Sequence, residues 1–182
     1  AYNGYIFVVP QNDFTNDNIS LDNLSKIGAM AKIKTVKNYE NGIIKVILSG
    51  LSRVKLNTLY MEDGIYYSSF EMVEDKEVDV DTEAAYVRTT AKVLEEYMAT
   101  NPNISKSIID RLSKGIAANE FTDILSQSFV KDYKKQIEIL NENDLIIRME
   151  MCMAYLNNER HIDSIENEIS EKVRKKLDNN QR

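Results

Sequence analysis

The side chains that could do chemistry in this sequence are few and scattered. His161 is the single histidine and Cys152 the single cysteine of 182 residues. A zinc site needs several ligands and a histidine-based triad needs a nucleophile arranged beside it. His161 stands instead in the charged helical stretch Asn157-Asn158-Glu159-Arg160-His161 and reads as a solvated residue. Cys152 lies on an apolar stripe between Met149 and Met153, with no cationic partner evident to favour its thiolate, and reads as a small core residue. Asp79-x-Asp81-x-Glu83 has the alternating carboxylates of a metal loop but no turn glycine, so it reads as solvated linker. Asp13 and Asp17 also lack the central glycine and closing glutamate of a calcium loop. No Gly-x-x-x-x-Gly-Lys-Ser/Thr stretch is present to cradle a nucleotide's phosphates. Paired carboxylates for hydrolysis do not stand out among the surface acids. No catalytic, cofactor-binding or metal-ligating residue is therefore expected here.

Adhesive chemistry is better represented. Met149, Met151 and Met153 alternate, so on a helix they point in different directions and Met151 should lie away from the other two. Methionine adapts its shape, which suits a surface that accepts many sequences. Met151 and Tyr155 are thus candidates for an exposed apolar patch that contacts other polypeptides; the alternative is packing on another helix or a neighbouring subunit. Tyr66, Tyr67 and Phe70, on a strand whose two faces both carry aromatics, form a second candidate. Ile162, Ile165, Ile169, Val173 and Leu177 recur at helical spacing among Glu, Lys and Arg, the pattern of a helix that seeks a partner helix.

These residues must be carried by two kinds of element. Tyr5 to Val9 is an apolar run expected of a strand covered on both faces, and Pro10 ends it. So strong a strand this close to Ala1 suggests a chain that starts partway through a sheet. Residues 11–23 read as a surface loop. Ala29, Ala31 and Ile33 alternate with Met30, Lys32 and Lys34, Asn41-Gly42 predicts a type I′ turn, and Ile43 to Leu48 returns as a strand expected to be covered on both sides. Gly50 offers a bend before Arg53 to Leu56, and Asp63-Gly64 predicts another turn between strands 56–61 and 65–73. After Glu74 the period becomes helical. Thr82 is a candidate N-cap, with Ala85, Val87, Ala91, Val93 and Leu94 on the apolar side, and Asn101-Pro102-Asn103 stops the helix. Shorter helices are expected over 104–116, 123–129 and 131–140. From 143 a last helix, capped by Asp144, would run about 60 Å and project. The fold class is α+β: a mostly antiparallel β subdomain, barrel or sandwich-like, over 1–75, an α-helical subdomain over 76–142, and a long C-terminal helix over 143–182.

Composition narrows the setting. An apolar fraction of 43% and two prolines describe an ordered globular chain. A net charge of −6 works against binding a phosphate backbone, so no nucleic acid is expected. No run of about 18 apolar residues occurs, so no membrane partner is expected, and no secretory signal is visible. One cysteine suits a reducing compartment, and the cytoplasm is the expected location.

The ordered set Ile27-Gly28-Ala29-Met30-Ala31-Lys32-Ile33, Asn41-Gly42 and Lys45-Val46-Ile47-Leu48-Ser49-Gly50-Leu51-Ser52-Arg53 resembles the amino-terminal domain of the ATP-dependent protease Lon. Tyr133-Lys134-Lys135-Gln136, Asn143-Asp144-Leu145-Ile146-Ile147-Arg148-Met149 and Gln181-Arg182 are similar to that family's later landmarks, although Ala29 stands where Thr is usual. The resemblance implies a noncatalytic region that recognises unfolded or tagged protein substrates and supports assembly of a homohexamer. ATP, magnesium and the serine peptidase would belong to the rest of such a parent. A standalone binding module for a small ligand or protein partner is the runner-up reading, and an enzyme with its own site in the β subdomain comes third.

Overall fold

Turn chemistry and strand alternation build the first part of the chain. In the computed structural model, which describes residues 3–101, 111 and 115–180 (side chains of 178–180 excepted), the strands are β1 (Tyr5–Val8), β2 (Ile27–Asn38), β3 (Ile44–Leu56), β4 (Tyr60–Glu62), β5 (Ile65–Tyr67) and β6 (Phe70–Met72). All pairings are antiparallel. Four strands form one sheet in the order β1-β2-β3-β6, and β4 with β5 forms a separate ribbon. The helices among the described residues are α1 (Val80–Thr100), α2 (Ala118–Phe129), α3 (Tyr133–Asn141) and α4 (Leu145–Asn180). The expected helix 104–116 and the stop at Pro102-Asn103 lie outside the described residues, apart from Arg111 and 115–116.

Two compact units emerge, Ala1–Asp75 with Tyr133–Asn143, and Lys76–Asp132 with Asp144–Arg182. In the first, Leu24, Ile27, Ala31, Val54, Leu56 and Ile139 are buried, and α3, grouped by sequence with the other helices, packs on β2. Arg53 secures that packing. Its Nη1 donates to the carbonyls of Leu140 (2.9 Å) and Glu142 (2.7 Å), and its Nη2 pairs with Asp75. Asn141 adds a second fastening: its Oδ1 accepts from the Ile27 backbone N–H at 3.0 Å, and its Nδ2 donates to the Ile137 carbonyl at 2.9 Å. Gly28 is fixed by sterics, because a Cβ there would stand 2.5 Å from the Val8 carbonyl oxygen across the β1–β2 pair.

One turn forms as its residues predict, and other local features differ. The Asp63-Gly64 turn has the two positive φ values, 50° and 76°, that a type I′ turn requires. Asn41-Gly42 differs, since only Gly42 is positive (φ 78°) and Tyr39 N–H donates to Ile43 O at 2.9 Å. The loop is therefore the three-residue kind closed by a left-handed glycine, not a type I′ pair. At Gly50 the chain does not leave its strand; β3 continues, and Leu51 is left without a partner between the Met30–Ser52 and Ala31–Gly50 pairs, a bulge that absorbs the bend. The strand expected over 65–73 is divided between the two sheets. Ser69 breaks it: its N–H bonds Thr58 Oγ1 at 3.1 Å and its carbonyl accepts from Asn57 N–H at 3.0 Å. β1 and the distal half of β3 are not covered on both sides; Tyr5, Val8 and every side chain from Ile43 to Leu48 are exposed.

The second unit is held by helix faces. Asp79, not Thr82, caps α1, its carboxylate accepting from Thr82 N–H at 2.9 Å. The buried face is Thr90, Leu94 and Tyr97 rather than the set from Ala85 to Leu94, of which Ala85 is exposed and only Leu94 buried. Thr90 is accommodated because its hydroxyl donates to Tyr86 O at 2.8 Å, so no polar atom is stranded. α1 and α2 both pack on α4, with Phe121, Leu125, Met149, Cys152 and Leu156 buried and Tyr97 edge-on to Phe129 at 5.8 Å. Asp144 caps α4 as expected, accepting from the N–H groups of Ile146 (3.0 Å) and Ile147 (3.3 Å). The helix is unbroken through Asn157 to His161 and is about 54 Å long at 1.5 Å per residue. From Ile162 to Leu177 every side chain except Asp163 is exposed.

Candidate functional site

The reactive side chains are placed by the fold where they have ordinary structural work. Burial pushes the Cys152 thiol up to about 12, against the opposing pull of nearby Arg148. Its sulfur sits 4.0 Å from the Thr122 carbonyl, wholly inside the second unit. His161 is exposed on α4, beside a groove of about 580 Å³ lined also by Thr100, Asn157, Arg160 and Asp163. The polar groups there serve one another: Arg160 pairs with Glu96, and Asn101 Nδ2 donates to Asp163 at 2.8 Å. Asp79 is spent as a helix cap, and hydrogen bonds from the Thr82 hydroxyl and backbone hold its carboxyl below the usual range. Asp81 and Glu83 fall in the first turn of α1, where they complement the helix dipole. Asp13 likewise turns its carboxylate onto the hydroxyl and N–H of Thr15. Among the described residues no cluster of three His, Cys, Asp or Glu side chains is placed to hold a metal ion.

What the fold does expose is apolar surface on strands. The β4–β5 ribbon pairs Tyr60 with Tyr67 on one face and Met61 with Tyr66 on the other. Tyr60 and Tyr67 stack at 5.5 Å, which leaves Tyr67 half-buried, while Tyr66 (46%) and Phe70 (43%) stay open to solvent. Phe70 lies on β6 in the other sheet, so the three aromatics read together in the sequence do not share one strand. Met151 and Tyr155 are both half-buried, and the Tyr155 hydroxyl accepts from Lys131 N–H at 3.2 Å. That pair is a rim rather than an open platform. The α4 stripe Ile162, Ile165, Ile169, Val173 and Leu177 is exposed along its whole length.

One surface was missed in the sequence. Beyond Ile33 the β2–β3 hairpin carries Val36 (52% exposed), Ile44 (63%), Val46 and Leu48 on one face. Alternation groups Ile44, Val46 and Leu48 on one face but cannot tell a covered face from a bare one.

The fold is a sheet of antiparallel strands followed by helices, the last of them long and bare at its far end. Residues 2–158 match the family profile of the ATP-dependent protease La (LON) substrate-binding domain, and the chain belongs to that family. It is 28% identical over 181 residues to Lon protease 1 of Hydrogenovibrio crunogenus, covering 97% of this chain and 22% of that protein. It is 27% identical over 179 residues to the Lon protease of Clostridioides difficile, covering 94% of this chain and 22% of that one. The chain therefore spans less than a quarter of the length of these relatives. The N-terminal domain of Mycobacterium avium complex Lon protease shares the fold, with a TM-score of 0.70 at 15% identity over 86% of this chain and 79% of that one. No helix among the described residues is long and apolar enough to cross a membrane.

Proposed function

We propose that this chain is the substrate-recognition region of an ATP-dependent serine protease of the Lon kind, one that degrades misfolded and regulatory proteins in the cytoplasm. The region itself is noncatalytic. It holds extended, unfolded or tagged chains by exposed apolar contacts, and ATP, magnesium and peptide hydrolysis belong to the parent enzyme. The observation that carries this reading is the membership of a substrate-binding family together with the bare apolar strand faces around Tyr66, Phe70 and Val36. Apolar faces left open on an otherwise buried scaffold mark sites where other chains bind. The exposed stripe Ile162 to Leu177 supports a second role, pairing α4 with other copies during assembly of a homohexamer.

Capture of a permanently unfolded protein tests the first role. Tyr66→Ser combined with Phe70→Ser should weaken capture several-fold with little change in thermal stability, because both side chains are exposed. Met151→Glu, at a half-buried rim, should weaken capture and also lower stability modestly. Unchanged capture in both variants would remove these residues from the binding surface.

A further inference from the structure

We propose that the distal half of the β2–β3 hairpin is a docking edge for an extended polypeptide segment in which apolar and acidic residues alternate. The proposal rests on the substrate-binding reading and names the kind of segment that one surface would take.

The edge comes first. β3 runs from Ile44 to Leu56, yet β6 pairs only with Val54, Lys55 and Leu56. Among the described residues no strand lies along the outer side of β3 between Ile44 and Ser52. A strand edge of that length offers a row of N–H and C=O groups to any extended chain.

The two faces beside that edge differ: one is apolar, and the other mixes lysines with the exposed side chain of Ile47. Ile33 opposite Leu48, and Val36 opposite Val46, make one face apolar. On the other, Lys32 faces Ser49, Thr35 faces Ile47, and Lys37 stands directly across from Lys45. Like charges in directly opposed positions destabilise a pair of strands. No ion-pair partner stands beside Lys32, Lys34, Lys37 or Lys45 among the described residues.

Charge is segregated along the chain as well. Residues 27–56 hold Lys32, Lys34, Lys37, Lys45, Arg53 and Lys55 against Glu40 alone, a local charge of +5 in a chain of −6. Lysines on an open edge also discourage a second copy of the same hairpin from pairing with it. An acidic strand meets no such repulsion.

The alternation follows from strand geometry. Side chains of an added strand point to opposite faces in turn. Every second residue would extend the Val46 and Leu48 face, and the intervening ones would lie beside Ile47 and reach Lys45, with Lys37 one strand further away at about 5 Å more. A nucleic acid lacks both the ladder of amide groups and the alternating apolar side chains. The remaining charge of −11 on the chain also repels a long polyanion.

The test uses the whole 182-residue chain and a labelled peptide of about nine residues, alternating Val and Glu, the length that spans Ile44–Ser52 at about 3.3 Å per residue. Fluorescence anisotropy at low salt should show binding about tenfold tighter than for a peptide of the same composition with its Val and Glu in separate blocks, or for one with Lys in place of Glu. Methylating the backbone nitrogens on the pairing side should abolish binding. The double variant Lys37→Glu with Lys45→Glu should lose about tenfold in affinity at unchanged thermal stability. Equal binding of the blocked peptide, indifference to both lysines, or equal displacement by a single-stranded oligonucleotide would overturn the proposal. A parallel titration with a neutral unfolded protein separates the two readings. Binding of that protein without the alternating peptide ends the hairpin proposal and leaves substrate recognition standing; binding of neither ends both.

Discussion

Replacing Arg53 with alanine should be among the most damaging single changes in the first unit. Its guanidinium makes two hydrogen bonds to the carbonyls of Leu140 and Glu142, at the end of α3, and an ion pair with Asp75. The side chain is only 11% exposed, so these bonds are poorly replaced by solvent. Hydrogen bonds to a charged group are each worth about 1.5–3 kcal/mol, but the two carbonyls at a helix end regain some water when the arginine leaves. A net loss of about 3 kcal/mol is expected. For a chain of this size about 1 kcal/mol lowers Tm by 2–4 °C, so Arg53→Ala should melt about 6–12 °C lower by circular dichroism or calorimetry. Arg53→Lys should recover less than half of that, because a lysine cannot bridge both carbonyls and the carboxylate with one fixed fork. A fall of less than about 2 °C for Arg53→Ala would refute the clamp.

Gly28→Ala should lower Tm by several degrees and weaken protection of β1 amides in hydrogen exchange, since the added methyl meets a backbone oxygen that cannot move aside; unchanged exchange in β1 would count against that contact. Cys152 should resist thiol-specific labelling at pH 8 in the native chain and react fully in denaturant, and rapid native labelling would contradict its burial. Asp144 is held below its ordinary value of 3.8, chiefly by Lys76 and then by the N–H groups that begin α4. Because the folded value is the lower one, its contribution is present above pH about 4 and is lost as pH falls through the folded value. Asp144→Asn should therefore be less stable than the parent at pH 7, and the gap should narrow as pH falls through the folded value; a difference that stays constant on acidification would show that the carboxylate's charge plays no part.

The parts of this fold that were legible are those written in adjacent residues. Asp63-Gly64 specifies its own turn, and Asp144 specifies its own cap, because the groups each one satisfies lie one to three positions away. Asp79 and Thr82 are both good cap residues on that same scale, and the choice between them depended on where the helix first turns. Glu40 joined the loop at Asn41-Gly42, which needs three residues rather than two to close the strands. Longer reach was not legible. In the sequence Arg53 closes a strand motif, while its partners are carbonyls 87 and 89 positions away that no side-chain pattern announces. Alternation puts Ile44, Val46 and Leu48 on one face of their strand, but it records only which side chains share a face. Whether another element covers that face is a tertiary fact. The same limit separated the aromatic cluster, since Ser69 leaves the strand to bond Thr58 and Asn57 and so parts Phe70 from Tyr66 and Tyr67.

The most direct test of substrate recognition is a titration of the 182-residue chain with one protein in two forms, native and permanently unfolded by reduction and alkylation, at equal concentration and moderate salt. Saturable binding of the unfolded form alone, weakened by Tyr66→Ser with Phe70→Ser, is the predicted result. Equal binding of both forms, or of neither, would contradict the account.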